Sequence, residues 1–169
     1  YGLSKKFIDE FVQNEVKLII TVDCGISCHN EVSYALEKGK KTIITDHHSI
    51  PETIPQDAYS INHPKLEDSG YPFEDLTGAG IALKVAHALF EHNLGPDKAI
   101  SEIEPLLELA GLGTIADIGI AHGENRLIIK KGLRNLLNTN YPGIRILKEF
   151  AGIKEVGNSE ISALTVGFQ

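Results

Sequence analysis

Ile43 to Pro51 reads IITDHHSIP, a run of β-branched residues that delivers Asp46, His47 and His48 to one point. Three adjacent ionisable side chains are costly to bury, and a hydrophobic core has no use for them. Neutral imidazole is a ready ligand for transition-metal ions, and a neighbouring carboxylate orients the ring from behind. Carboxylates with an imidazole and no thiolate suit manganese or another borderline-hard divalent ion better than a structural zinc. Asp23 ends an earlier apolar run, KLIITVD (Lys17 to Asp23), and is followed by Cys24 and Gly25. The glycine lets the chain turn away while the carboxylate stays at the edge. An Asp in that place equally caps the turn after it, and the same two readings hold for Asp46. A third acid, Asp117, follows small residues in AGLGTIADIG, which permits close packing or marks an ordinary helix end. Downstream, Gly123-Glu124-Asn125-Arg126 opens a helix whose Asn125 and Arg126 either hold a phosphate, brace a site, or form a capped, solvated end.

The elements that must carry these residues follow from hydrophobic spacing. Leu3, Phe7, Ile8, Phe11 and Val12 share one helical face over Leu3 to Gln13, with Ser4 as the cap. KLIITVD is a continuous apolar run of strand length, as expected for a parallel strand covered on both faces. Asn30 to Lys38 reads as a helix closed by Gly39. KTIITDHH is a second buried strand, and Asp57 to Asn62 a short third one. Strand, helix, strand at this spacing is a βαβ unit, so the sheet is expected to be parallel. In open sheets of that kind ligands sit beyond the carboxyl ends of the strands, and Asp23 and Asp46-His47-His48 arrive at the same edge.

Beyond the loop at His63 to Pro72 the pattern turns helical. Leu83, Ala86, His87 and Phe90 repeat at helical spacing after Thr77-Gly78-Ala79-Gly80. Ile100 to Leu112, Asn125 to Leu137, Gly143 to Phe150 and Ser159 to Val166 are further helices. The fold class is therefore α/β, a parallel sheet with flanking helices followed by a mainly helical segment. The Gly78-Ala79-Gly80 pair of glycines lacks the spacing of a dinucleotide fingerprint and reads as permission for tight packing or an anion-facing turn. Lys130, Lys131 and Arg134 share a helix that either tracks a phosphate backbone or is simply solvated. His29, His63, His87, His92 and His122 have no evident partner in the sequence.

Bulk properties narrow the class. A length of 169 residues fits one ordinary domain with a real core. The net charge of -7 gives no general pull toward nucleic acid, so a polyanion must be met by a local basic patch or by metal ions. Cys24 and Cys28 alone cannot complete a zinc tetrahedron, and as the only cysteines they read as reduced thiols. No leader or spanning apolar run is present, so the cytoplasm is the expected compartment. The chain opens at YGLSKKF, contains no Met and closes at TVGFQ, and we read it as a piece of a longer protein.

Taken in order, TVDCG (Thr21 to Gly25), TDHH (Thr45 to His48), LTGAGIALK (Leu76 to Lys84), LGTIAD (Leu112 to Asp117) and GENR resemble the DHH phosphoesterase family, in its RecJ-type branch of single-strand-specific exonucleases. The resemblance implies a two-metal site, with manganese or magnesium. It makes Asp23 the bridging carboxylate, His47 and Asp117 ligands of one metal, Asp46 an orienting group, and His48 the contact to the scissile phosphate, with Asn125 and Arg126 also binding substrate. Residues 1–75 would then be the βαβ part carrying the VDCG and DHH motifs. Residues 76–169 would be the helical part and the start of an interdomain linker, the family's first acidic motif and its C-terminal DHH-associated domain lying outside the chain. The function implied is an exonuclease on single-stranded DNA in repair and recombination, with a single-strand-binding protein or a helicase as partner. Little nuclease activity is expected of this piece alone. An oligoribonucleotide or cyclic-dinucleotide phosphodiesterase shares the motif, and a non-catalytic replication scaffold shares the fold. IGIAHGENR, where relatives carry an apolar-Pro stretch, sets this chain apart beside Asp117.

Overall fold

A computed structural model of the chain describes residues 2–136 and 138–150. Those residues fall into two compact units, the first ending at Ile81 and the second beginning at Ala82. The expected helix over Ser159 to Val166 lies outside the described residues.

The first unit holds α1 (Lys5–Gln13), β1 (Leu18–Val22), α2 (His29–Glu37), β2 (Lys41–Thr45), β3 (Ser60–Asn62) and the first turn of α3 (Gly78–Leu94). Ser4 caps α1 as its spacing requires, its side chain accepting the Phe7 N–H at 3.4 Å. α2 ends in a left-handed Gly39 whose N–H donates to Leu36 O at 2.8 Å, which closes the helix and reverses the chain into β2. The three strands form a parallel sheet in the order β1-β2-β3, with Val22 beside Thr45 and Thr45 beside Asn62. That register brings the carboxyl ends of all three strands to one edge.

α1 and α2 cover one face of the sheet, where Ile19 is buried with Ile8 and Ala35 and backed by Phe11, Val16 and Tyr34. The other face of β1 differs from expectation. Leu18, Ile20 and Val22 alternate with buried neighbours and are about half exposed, so β1 is covered on one face only. It is an edge strand of this sheet, and no described strand or helix of the unit lies over those three side chains.

The second unit is helical. After α3 come α4 (Pro96–Ile103), α5 (Leu106–Ala116), α6 (Gly123–Leu136) and α7 (Pro142–Phe150). The single helix expected over Ile100 to Leu112 is in fact two. Pro105 lacks an N–H and its ring crowds the preceding turn, so α4 stops at Ile103 and α5 starts afresh. α5 and α6 pack through glycines: a Cβ at Gly111 would lie 3.2 Å from the Gly132 Cα. A Cβ at Gly132 would fall on the Leu107 carbonyl. Leu112, Leu136 and Ile144 bury together and tie α7 to that pair. No helix among the described residues is long and apolar enough to cross a membrane.

Candidate metal centre

Asp23 follows β1 with φ of 61°, a left-handed conformation that Asp tolerates better than most residues. Its N–H donates to Thr45 O at 3.0 Å, and Cys24 forms an isolated bridge to Thr45, so the turn is pinned to the end of β2. Gly25, at φ of 118°, completes the turn; a Cβ there would press on Thr21 Oγ1 at 2.7 Å. Gly78 opens α3 directly against Asp23, and a Cβ at Gly78 would overlap the Asp23 carboxylate. The left-handed turn and the bare helix start together set the direction of one carboxylate.

Asp46 directly follows β2 and is 1% exposed. Its carboxylate accepts Ile26 N–H at 2.9 Å, His47 N–H at 2.8 Å, His48 N–H at 3.2 Å and the His48 Nδ1–H at 2.6 Å. Burial alone would push this carboxyl up, but those donors, led by Ile26 N–H and the His48 ring, hold it below the usual carboxylate value. Asp46 therefore stays ionised and acts as the hub that orients both histidines. With Nδ1–H committed to Asp46, His48 turns Nε2 outward, and half of its side chain is exposed.

His47 turns the other way. Its Nε2 lies 3.0 Å from Asp23 Oδ1, and both atoms are shielded from solvent. Asp23, His47 and His48 each offer one ligand atom within 4.8 Å of the others, and they are the cluster of this kind among the described residues. An acid and imidazoles converging without thiolate is a donor set for a divalent ion such as manganese. Cys24 stands beside it, but burial first, then the negative Asp46, pushes its thiol up. A protonated thiol is a poor ligand, which argues against Cys24 as a member of the set.

A histidine with no evident partner in the sequence is built into this edge. His63 is buried, accepts Lys65 N–H on Nδ1 at 3.2 Å and donates from Nε2 to His48 O at 3.0 Å. Lys65 also reaches His47 O with its Nζ at 2.6 Å. The backbone of the His47-His48 pair is thus held from the loop after β3. His63-Pro64-Lys65 carries no spacing signal, which is why sequence reading passes over it.

The remaining candidates lie in the second unit. Asp117 is the C-cap of α5, its N–H donating to Gly113 O at 3.0 Å, and Ile118 after it is left-handed at φ of 55°. Asn125 is fully buried and its amide donates to Ile120 O at 3.2 Å, so it braces the turn between Asp117 and α6. Arg126 is exposed one residue further on. Of the expected site residues, Asp23, Asp46, His47 and His48 therefore come together in the first unit, while in the second Asp117 caps the end of α5 and Asn125 and Arg126 stand in the first turns of α6.

Residues 3–114 match the model of the DHH family, N-terminal domain. The single-stranded-DNA-specific exonuclease RecJ of Bacillus subtilis is 41% identical over 169 residues, all of this chain and 20% of that protein. The RecJ of Thermus thermophilus is 37% identical over 155 residues, 90% of this chain and 21% of that protein. The crystal structure of exonuclease RecJ bound to manganese is similar with a TM-score of 0.80 and 32% identity, over 98% of this chain and 40% of that one. The chain thus spans about a fifth of the length of the curated relatives named here.

Proposed function

Because the chain belongs to the DHH family, we propose that it is part of a metal-dependent phosphodiester hydrolase that degrades single-stranded DNA exonucleolytically. The observation that carries this reading is the approach of His47 Nε2 to Asp23 Oδ1 at 3.0 Å, at the strand edge where ligands of open parallel sheets sit. The relatives named RecJ are single-strand-specific, and two of the similar solved structures are bound to manganese.

Asp23 and His47 would hold the ion, and the ligand role of Asp117 is the one that its LGTIAD motif implies. Manganese or magnesium held there would supply Lewis acidity at a phosphoryl oxygen and make water a better nucleophile at neutral pH. Asp46 binds no ion directly; it stays charged and fixes the orientation of the His48 ring. His48 then donates from Nε2 to a non-bridging oxygen of the scissile phosphate, where added charge develops during displacement, a contact that requires a proton on both ring nitrogens and that the Asp46 carboxylate on Nδ1 favours. Arg126 meets the substrate backbone, while Asn125 holds the turn that carries it. Metal charge lets a chain with a net charge of -7 accept a polyanion. A nuclease of this kind on single strands would serve repair and recombination in the cytoplasm, beside a single-strand-binding protein or a helicase.

Nucleotide release from single-stranded and duplex DNA of one sequence, in manganese, by the protein that carries this chain tests the reading. We expect release from the single strand only, stopped by chelation. Equal release from duplex, or turnover of short RNA and cyclic dinucleotides alone, would overturn it.

A further inference from the structure

The second unit contains a groove of about 580 Å³, within the range of small-ligand sites, that the metal centre does not use. Glu108, in the first turn of α5, lines it and is only 4% exposed. Among the described residues its Oε1 has no hydrogen-bond partner. A buried acceptor left unmatched costs on the order of 1–3 kcal/mol, so a group of this kind points to a donor supplied from outside. Around it stand Glu104, Arg134 near the end of α6, Asn138 and Asn140 of the following loop, and Tyr141. The wall is fixed: the Tyr141 hydroxyl donates to Pro105 O at 3.5 Å, and its N–H donates to Thr139 Oγ1 at 3.1 Å.

We propose that this groove is a nucleobase pocket selective for guanine, an inference that rests on the reading of the substrate as single-stranded DNA. A carboxylate accepts best from two parallel N–H donors. Among the four DNA bases only the pairing edge of guanine sets two donors, N1–H and N2–H, side by side. Its opposite edge carries O6 and N7, the acceptors that an Arg guanidinium engages with two hydrogen bonds. Arg134 and the amides of Asn138 and Asn140 supply donors for that edge, and the ring of Tyr141 offers a stacking surface of the kind that holds single-stranded bases. A divalent cation or an arginine side chain from a partner would also answer Glu108, but each would meet the like charge of Arg134. Adenine, cytosine and thymine leave one carboxylate oxygen facing an acceptor or nothing, a mismatch that hydrogen-bonding sites reject strongly.

Calorimetric titration of the whole chain with dGMP, dAMP, dCMP and dTMP, without metal, tests the proposal, with L-arginine amide and magnesium as controls. We expect dGMP to bind at least about tenfold more tightly than the other three. Glu108→Gln, which replaces paired acceptors with one acceptor and one donor, should remove that preference; circular dichroism checks that it folds. Arg134→Ala, at an exposed position, should weaken dGMP by about fivefold or more and decides the matter if Glu108→Gln unfolds. Equal binding of all four nucleotides, no binding, or tighter binding of arginine amide or magnesium than of dGMP would each overturn the proposal. No cleavage enters this titration, so its failure leaves the nuclease reading standing, and absence of manganese-dependent cleavage leaves the base pocket standing.

Discussion

Asp23 sits at φ of 61° with a helix start pressed against its carboxylate, and both features are explained by aim rather than by stability. A left-handed non-glycine residue costs little when it is Asp or Asn, and sites of this kind cluster where a side chain must point in one direction. Asp23→Asn keeps the shape and the backbone preference but removes the charge. We expect its melting temperature to equal the wild type's while manganese affinity, read by electron paramagnetic resonance, falls at least about tenfold. Gly78→Ala acts from the other side: its methyl group and the Asp23 carboxylate cannot share one place. A folded Gly78→Ala protein with undiminished manganese affinity would refute that packing account. His63 carries a third residue-scale expectation. Burial, aided by the positive Lys65, outweighs the His48 carbonyl and Asp46 and pushes its pKa below 6.5. The folded state therefore favours neutral His63, so its contribution to stability is complete above pH 6.5. It is lost as pH falls below that value, because the unfolded chain then binds a proton that the fold resists. Between pH 7.5 and pH 5.5 the wild type should lose more melting temperature than His63→Gln, and equal losses would contradict the neutral assignment.

At the scale of elements, most of the pattern is legible because hydrophobic period and caps are local. Ser4, Gly39 and the β-branched runs each act within a few residues, and the structure places α1, α2 and β1 within one or two residues of expectation, while β2 starts at Lys41 as expected and ends at Thr45, before Asp46-His47-His48. What sequence spacing misreads is governed by a single covalent fact or by distant contacts. Pro105 divides one apparent helix into α4 and α5, since the amphipathic stripe runs on across it. The end of α5 shows another such conflict. Gly119 N–H donates to Thr114 O at 3.0 Å in a helix-ending motif whose left-handed place is filled by Ile118, which is 84% exposed. A β-branched residue there costs roughly 1–2 kcal/mol. Ile118→Gly should therefore raise the unfolding free energy by about 1 kcal/mol in denaturant titrations, and a loss of stability would show that Ile118 packs to some purpose. Gly132 makes the opposite case. Its Cβ has no room against the Leu107 carbonyl, so Gly132→Ala should separate α5 from α6 and cost about 1–3 kcal/mol.

Across the whole molecule, the acids and imidazoles could be read from the sequence, but their division of labour could not. IITDHHSIP says only that three polar groups share a strand end. The fold turns Asp46 inward as a buried hub, His48 outward on its Nδ1–H bond, and His47 toward Asp23. His63 and Lys65, which hold the pair from a loop without periodicity, were invisible to spacing for that reason. The uncovered face of β1 escaped as well, because an apolar run reads alike whether one face or two is buried. The central claim is that His47 serves the ion and His48 the phosphate. Its most direct test is the manganese affinity of the chain and of His47→Ala and His48→Ala, read by electron paramagnetic resonance at fixed pH. We expect His47→Ala to lose at least about tenfold, the scale of removing one good ligand, and His48→Ala to stay within about threefold of the wild type. Equal losses in the two variants, or an unchanged affinity in His47→Ala, would contradict it.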